Sequence, residues 1–385
     1  MTRTPLAVLD LVPVSSGGTE TAAIRQAIDL ARRSEQFGYQ RYWFAEHHLN
    51  PGVIGISPAV AIALVAASTS SIRLGSAGVQ LGHRLPLAAV EEFGLINALY
   101  PGRLDLGLGR SPGRPKPGAG PVAPGGPGGP AGPGGPAHES DQRAANGLLL
   151  PKKFDPSKLL ASSRIAAMLA LLQQPNAYTP DYAQQIDDVL ALLAGSYVAE
   201  DGLAVHAYPG EGADLQVWIL GSSAGQSATV AGERGLRFAA SYHHSPSTVI
   251  DAVEAYRAAF RPSAQLDRPY ISVSADVVVA DDDATARRLA TGYAPWVRSI
   301  RTGAGAIRFP TPAEAAALEW TAEDRALVQD RVDTQLVGSP TSVAEQLERL
   351  RDATGADELA ITTITHQHED RVRSYELLAK TWLTN

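Results

Sequence analysis

The residues best equipped for chemistry stand together in Tyr42-Trp-Phe-Ala-Glu-His-His48. A short run of strand character, Tyr42 to Ala45, leads straight into an acid and two histidines. Side chains alternate along a strand, so Trp43, Ala45 and His47 share one face, and Tyr42, Phe44, Glu46 and His48 the other. At the C-terminal end of a strand in a parallel barrel, where active sites are assembled, this aims His47 into the site. An imidazole there takes or gives a proton near neutral pH. Two other uses stay open on these residues alone. A histidine just past a strand often serves only as hydrogen-bonded structure. Paired histidines also suggest a metal, although opposite faces converge poorly on one ion.

Three further stretches supply complementary chemistry. Ile72 to Leu81 is strand-like but contains two glycines around Ser76-Ala77-Gly78, and glycine inside a strand marks close approach by a ligand or another backbone. Leu104 to Arg110 is a strand ending in an arginine. Leu215 to Gly221 is a strand followed by Ser222-Ser223-Ala-Gly-Gln-Ser227, a Gly/Ser-rich turn into a helix N-terminus that suits an anion. Arginine with such a turn fits a phosphate monoester, and a glycine-bearing strand fits a flat ring system. With His47 nearby, the set points to a flavin mononucleotide (FMN) site without a metal.

Bringing these groups together requires a particular scaffold. Strand patterns recur at Leu6–Val12, Tyr42–Ala45, Ile72–Leu81, Leu104–Arg110, Leu215–Gly221, Gly235–Ser241, Tyr270–Ala280 and Leu359–Thr365, each followed by a helical pattern. Gly38 stops the first helix, and Ser57-Pro58 caps the second, which is apolar nearly all round and therefore buried. Strands alternating with helices in this number define an α/β protein, a (β/α)8 barrel. Residues 112–136 interrupt the pattern after the fourth strand with a Gly/Pro-rich insertion, expected as a flexible loop within one domain spanning 1–385. Two amphipathic segments follow, Ser157–Gln173 and Pro180–Leu193. The irregular stretch Thr302–Glu319 is expected to fold over the barrel mouth.

Composition narrows the classes. The chain has 385 residues, with 33 basic and 40 acidic side chains giving a net charge of −7. No basic run appears, which argues against nucleic acid as the main partner. Cysteine is absent, so neither disulfides nor thiol chemistry is available. The first apolar run, Leu6–Val12, is too short to span a membrane and lacks a signal-peptide cleavage pattern. A cytoplasmic enzyme with no membrane partner is expected.

The chain resembles the bacterial luciferase-like flavin monooxygenases over nearly its whole length. The resemblance rests on Tyr42-Trp-Phe-Ala-Glu-His-His48, Ile72-Arg-Leu-Gly-Ser-Ala-Gly-Val79, Pro101-Gly-Arg-Leu-Asp-Leu-Gly-Leu-Gly-Arg110, Val217-Trp-Ile-Leu-Gly-Ser-Ser223 and Gly355-Ala-Asp-Glu-Leu359, in that order. It implies that His47 supports oxygen chemistry on reduced flavin, with Glu46 or His48 orienting it. It implies further that Ser76, Ala77 and Gly78 lie beneath the flavin, that Ala77–Gly78 is a non-prolyl cis peptide, and that Arg110, Gly221, Ser222 and Ser223 hold the FMN phosphate. Subunits in the family pair through the helices after strands two and three, which implies a homodimer here. The luciferase α subunit has an acid in the phosphate turn where this chain has Ser222, and the Gly/Pro insertion is outside the common pattern. Light emission is therefore not expected.

The function implied is an FMN-dependent monooxygenase. Reduced FMN would come from a separate NAD(P)H:flavin reductase, since no Gly-x-Gly-x-x-Gly dinucleotide unit is present. O2 is the co-substrate, and a small organic molecule is hydroxylated, epoxidised or oxidised in Baeyer–Villiger fashion, as in the tailoring of a secondary metabolite. The alternatives are a deazaflavin-dependent hydride transferase on the same fold and a non-catalytic flavin-binding protein.

Overall fold

In a computed structural model that describes residues 4–111, 113–115 and 140–384, eight parallel strands close into a ring surrounded by helices. The strands are β1 (Leu6–Asp10), β2 (Arg41–Phe44), β3 (Arg73–Ser76), β4 (Leu104–Gly109), β5 (Leu215–Gly221), β6 (Arg237–Ser241), β7 (Ile271–Val279) and β8 (Glu358–Thr362). Each pairs with its sequence neighbour, β6 pairs β7, and β8 returns to β1, so no strand edge is left within the ring. The (β/α)8 barrel expected from the sequence is therefore present. The bulk of the Gly/Pro-rich tract lies outside the described residues.

The helices that follow the strands are α1 (Glu20–Phe37), α2 (Pro58–Ala66), α3 (Pro86–Leu99), α4 (Tyr182–Ala194), α5 (Gln226–Glu233), α6 (Val249–Ala259), α7 (Pro340–Thr354) and α8 (His368–Thr384). Local chemistry sets their ends. Thr19 accepts from the Ala22 amide at the start of α1, and Gly38 at φ 90° closes it, a conformation natural to a residue without Cβ. Among the described residues no helix is long and apolar enough to cross a membrane.

Outward-facing strand residues such as Val8, Leu74, Leu106, Val217, Val273 and Ile361 pack against the helices in the main core. The inward-facing residues form layers of different character. At the floor, Asp105 is fully buried and accepts from Arg41 Nη1 (2.9 Å), Arg73 Nε (2.8 Å) and Trp43 Nε1 (2.9 Å). Arg41 also donates to Glu358 (2.8 Å) and Gln216 (2.8 Å), and its guanidinium lies 4.9 Å from the Trp218 ring centre. Above this floor, Trp43 and Trp218 meet edge to face at 4.8 Å. Towards the C-terminal ends the inward positions become small: Ala45, Ala77, Gly107 and Gly109. A Cβ on Gly107 would stand 1.8 Å from the Ser76 carbonyl oxygen, so only glycine lets β3 and β4 pass so closely there.

Several expectations change in detail. The third strand is not continuous from 72 to 81. It breaks after Ser76, passes through a cis Ala77–Gly78 peptide, and resumes at Val79–Gln80 against β4. The cis bond is the one the family resemblance implied. Ser157–Gln173 is two helices, Ser157–Leu160 and Ser163–Leu172, because Ser162 caps the second through the Ile165 amide. The helix expected to open at Ser222 begins later, at Gln226, after a turn capped by Gly225.

The irregular stretch after residue 302 does fold over the mouth. Its backbone is stitched to the loops after β1 and β2 through Gly52 N to Ala306 O (2.8 Å), Phe309 N to Val14 O (2.8 Å), Ser16 N to Phe309 O (2.9 Å) and Val14 N to Gly52 O (2.9 Å). Beneath it, Tyr293, Trp296, Val297 and Phe309 pack with Leu9, Leu11 and Ala45 of the barrel interior. The helix Ala322–Asp333, which completes this roof, was not anticipated, although Thr321 and Asp324 form a capping box at its start.

The buried floor generates a stability prediction. Asp105→Ala removes the acceptor shared by Arg41, Arg73 and the Trp43 indole, while Arg41 keeps Glu358 and Gln216 and Arg73 keeps the Gly102 and Leu104 carbonyls. The folding free energy should fall by about 3–5 kcal/mol in urea denaturation, the cost typical of breaking a buried ion pair from one side.

Candidate active site

The site is built where the C-terminal ends of β2, β3, β4 and β6 meet the roof. His47 follows β2 by three residues, on the inward side of the chain. Its Nδ1 is sealed from solvent without a hydrogen-bond partner among the described residues. Burial, reinforced by the neighbouring His48 and opposed by Glu46, lowers its pKa to about 4. The ring is therefore a neutral imidazole through the physiological range, with an unspent ring nitrogen.

Glu46 and His48 do not hydrogen-bond to His47. Glu46 is buried, and its Oε1 receives His48 Nε2 (3.0 Å) and His83 Nε2 (3.2 Å), while Oε2 accepts from the Gln80 amide (2.8 Å). Gln80 Nε2 returns a bond to the Glu46 carbonyl (2.7 Å). Burial alone would raise the Glu46 pKa, but these donors outweigh it and hold the carboxylate at about 2. The network clamps the loop carrying His47 to the strand that resumes after the cis bond. Glu46, His48 and His83 offer atoms within 4.8 Å of one another, a donor set a cation would accept. The Arg84 guanidinium already stands 3.8 Å from the shared carboxylate oxygen, supplying positive charge in the same place.

Ser76 and its neighbours divide in role. Ser76 Oγ is fully buried, donates to the Gly107 carbonyl (2.8 Å) and accepts from the Gly107 amide (3.0 Å), so it ties β3 to β4 and faces no ligand. At Gly78 an added Cβ would stand 2.8 Å from Leu220 Cδ1 and 2.9 Å from the Gly107 carbonyl oxygen, so that face of the residue is closed by packing. At Gly109 an added Cβ would meet nothing nearer than 3.8 Å, so this part of the wall borders open space.

At the end of β4, Arg110 joins a small pocket with Gly82, Ser111, Thr179, Pro180, Tyr182, Gln185 and Gln226. Gln226 is the first residue of α5, so the pocket brings together a guanidinium and a helix N-terminus. Burial lowers the Arg110 pKa from its usual value, with Asp181 and Tyr182 opposing. Burial raises that of the Tyr182 hydroxyl, which hydrogen-bonds Ser227 and the Leu108 carbonyl (3.2 Å). Gly221, Ser222 and Ser223 lie in the turn just before this helix, where the Ser222 carbonyl accepts from Thr248 (2.5 Å).

Three candidate residues were missed by sequence reasoning. His243 and His244 follow β6, and His47 is among the charges that act on both. His83 joins the Glu46 network. The signal for the pair was present: a strand-like run ending directly in Tyr242-His-His244 repeats the pattern at His47 and His48.

Comparison with known proteins agrees with this architecture. The family model for luciferase-like monooxygenases matches residues 4–125 and 172–358, and the chain belongs to that family. It is 35% identical over 380 residues to the uncharacterised protein YvbT of Bacillus subtilis (98% of this chain, 97% of that one). It is 32% identical over 370 residues to a luciferase-like monooxygenase of Escherichia coli K12 (96% and 94%). Over 108 residues it is 43% identical to the N-acetyl-S-alkylcysteine monooxygenase of Bacillus subtilis (28% and 32%). Among solved structures, apo-MsnO8 superposes with a TM-score of 0.76 at 28% identity, covering 100% of this chain and 98% of that one. Two further structures share the fold at lower identity. The oxygenating constituent of 3,6-diketocamphane monooxygenase of Pseudomonas putida, in complex with FMN, matches at TM-score 0.62 and 18% identity (99% and 98%). An F420-dependent secondary alcohol dehydrogenase matches at TM-score 0.60 and 11% identity (99% and 99%). The chain is thus an enzyme, an oxidoreductase of the luciferase-like monooxygenase family.

The environment of His47 has a pH consequence. Because its folded pKa lies below the unfolded value, the unfolded chain binds more protons between the two, and this ring's contribution to stability is lost as pH falls from about 6.5 towards 4. A chemical-shift titration of the imidazole, assigned with His47→Gln, should give a midpoint near 4. A midpoint near the ordinary histidine value would place the ring in solvent.

Proposed function

We propose that this chain is an FMN-dependent monooxygenase that takes reduced FMN from a separate NAD(P)H:flavin reductase and oxygenates a small organic substrate. The observation that carries the reading is the neutral His47, whose sealed, unpaired Nδ1 shares one barrel rim with Ala77–Gly78 and the Arg110 pocket. The residues present fit the cofactor. Arg110 and the α5 N-terminus suit its phosphate, and the open space beside Gly109 suits its ring.

Bound reduced FMN supplies the electrons that activate O2, which is the difficult chemistry. The chain's own residues do the rest. His47 holds or moves a proton through its free ring nitrogen, and its neutrality keeps it able to accept one. The Glu46–His48–His83 clamp fixes the loop that carries it. The roof over Tyr293, Trp296 and Phe309 excludes water from the apolar upper interior. We place the enzyme in the cytoplasm and treat the chain as one barrel domain with the Gly/Pro-rich tract as an insertion.

A homodimer completes the proposal. Val60 and Leu64 on α2 are 61% and 50% exposed, and Leu95 and Leu99 on α3 are 62% and 73% exposed. Adjacent helices bearing so much uncovered aliphatic surface suit a second copy of the chain. Light scattering should report a dimer for the native protein and a monomer for Leu64→Glu/Leu95→Glu.

Anaerobic titration with reduced FMN tests the cofactor assignment. Arg110→Ala should weaken binding about tenfold or more and erase the preference for FMN over riboflavin, which lacks the phosphate. His47→Gln should leave binding intact yet slow oxygen-dependent substrate turnover by about 10²–10⁴. Failure of the native protein to bind reduced FMN, with binding of reduced deazaflavin instead, would replace this reading with hydride transfer.

A further inference from the structure

Beside the loop that carries His47, three side chains from two separate β/α units bring ligating atoms to one point. Glu46 and His48 flank His47 after β2, and His83 lies in the turn after Val79–Gln80. His48 Nε2 stands 3.0 Å and His83 Nε2 3.2 Å from the same atom, Glu46 Oε1, and the three ligating atoms lie within 4.8 Å of one another. The two rings meet nearly at right angles, at 79° with centres 5.3 Å apart, so both nitrogens reach the carboxylate without stacking.

The cluster differs from carboxylates and histidines gathered by chance on a surface. The Glu46 side chain is wholly buried. Its orientation is set from behind, because Oε2 accepts from the Gln80 amide (2.8 Å) and the Glu46 carbonyl accepts from Gln80 Nε2 (2.7 Å), which leaves Oε1 for the rings. Asn50 Nδ2 donates to the His48 carbonyl (2.9 Å), and the His83 amide donates to the Gln80 carbonyl (3.3 Å). Outer contacts of this kind hold ligands in orientation at metal sites. Ligands on a tetrahedral Zn2+ stand roughly 3.3–3.6 Å apart, given bonds of about 2.0–2.2 Å. The observed 3.0 and 3.2 Å fall just short of such a sphere, and small side-chain rotations close the difference.

Arg84 is the competing cation. Its Nη2 lies 3.8 Å from Glu46 Oε1, beyond hydrogen-bonding distance, while its Nη1 donates to Glu92 Oε1 at 2.7 Å. Glu92 Oε2 is buried with no hydrogen-bond partner among the described residues, so the guanidinium can complete a two-pronged pair with Glu92 and leave Glu46. Glu46 and Glu92 outweigh Arg84 in charge, so a divalent ion meets a net negative group. Two imidazoles with one carboxylate select a borderline transition ion over Mg2+ or Ca2+, which prefer oxygen throughout. His48 is partly open to solvent, which gives the ion a way in and a water a place as fourth ligand.

We propose that Glu46, His48 and His83 form a binding site for a divalent transition metal of the Zn2+ class, held by Nε2 of both rings and one carboxylate oxygen. Each ring binds as a neutral imidazole with its proton on Nδ1, so coordination takes the place of the two hydrogen bonds to Glu46. Two of the ligands stand on either side of His47 in the chain. The ion therefore fastens this loop to the turn after Val79–Gln80. The site goes beyond the flavin reading and does not depend on it.

The full chain, freed of metal by a chelator, is titrated with Zn2+ by calorimetry near neutral pH with Mg2+ in excess. One tight site per chain is expected, weakening markedly as the pH falls to about 5, where protons compete for imidazole. Co2+ in place of Zn2+ should give the intense visible bands of a four- or five-coordinate ion. His48→Ala and His83→Ala should each weaken Zn2+ binding by about 100-fold or more, since outer contacts alone are worth roughly 10–100-fold. Melting curves identify a variant that fails to fold, and the other then carries the test. Bound Zn2+ should raise the melting temperature of the native protein and of neither ligand variant. His206→Ala alters a surface histidine paired with Glu211 (2.7 Å) and should leave the titration unchanged. Absence of a tight site, a site unchanged in both His48→Ala and His83→Ala, loss of binding in His206→Ala, displacement by Mg2+, or only the faint bands of six-coordinate Co2+ would overturn the proposal. None of these readouts uses flavin or turnover, so a native protein that binds Zn2+ but not reduced FMN would sink the flavin reading and leave this site standing.

Discussion

A single carboxylate holds the interior of this barrel together. Asp105 has no access to water and is surrounded by Arg41, Arg73 and the Trp43 indole. Arg41 and Trp43 belong to β2, Arg73 to β3 and Asp105 itself to β4, so the bonds fix the relative heights of these three strands. A buried ion cluster of this kind contributes little net stability compared with a well-packed apolar floor. It does impose register, because no sliding of one strand leaves all partners satisfied. Glu358 extends the constraint to β8 through Arg41.

With the floor closed by charge and the middle filled by Trp43 and Trp218, the remaining space lies at the C-terminal end. The small residues of β3 and β4 leave room on one side, and the histidines after β2 and β6 supply polar groups on others. The two histidine pairs serve different ends. His48 is spent on Glu46, which locks a loop, whereas His243 and His244 engage Ser274 and Ser245 through Nδ1 and His47 Nδ1 has no partner among the described residues. At His47 burial is the main cause of the lowered pKa, so the chemistry of this ring is set by the packing around it.

Much of this was legible in the sequence because barrels obey short-range rules. Alternation in β2 placed Trp43 and Ala45 inward and Tyr42 outward, and the structure agrees, with the Tyr42 hydroxyl donating to Asp10 (2.5 Å) and to the Ala27 carbonyl of α1. Gly38 ended α1 as its missing Cβ suggested. What escaped was non-local. Nothing adjacent in sequence says that Glu46 will bond His83 or that Ser76 will spend its hydroxyl on Gly107, because both contacts join different β/α units. Ser76 was grouped with the ligand-facing residues for its proximity to Ala77 and Gly78, yet the pleat turns it to the other side. His243 and His244 were legible in principle, but the strand pattern ends at Ser241 and the residues just beyond it carried no assignment. The helix Ala322–Asp333 is polar on its exposed faces, and the irregular sequence before it masked its cap.

The roof is joined to the β1 and β2 loops by main-chain groups of Val14, Gly52, Ala306 and Phe309. Such seams are indifferent to most side chains. The lineage of this enzyme could therefore exchange the residues lining the mouth, and with them the molecules it accepts, while the cover keeps its place. Gly52 is the exception, since a Cβ there would lie 1.7 Å from the Ile307 carbonyl oxygen. Evolutionary drift in substrate range is in this way pinned at one hinge point and free around it.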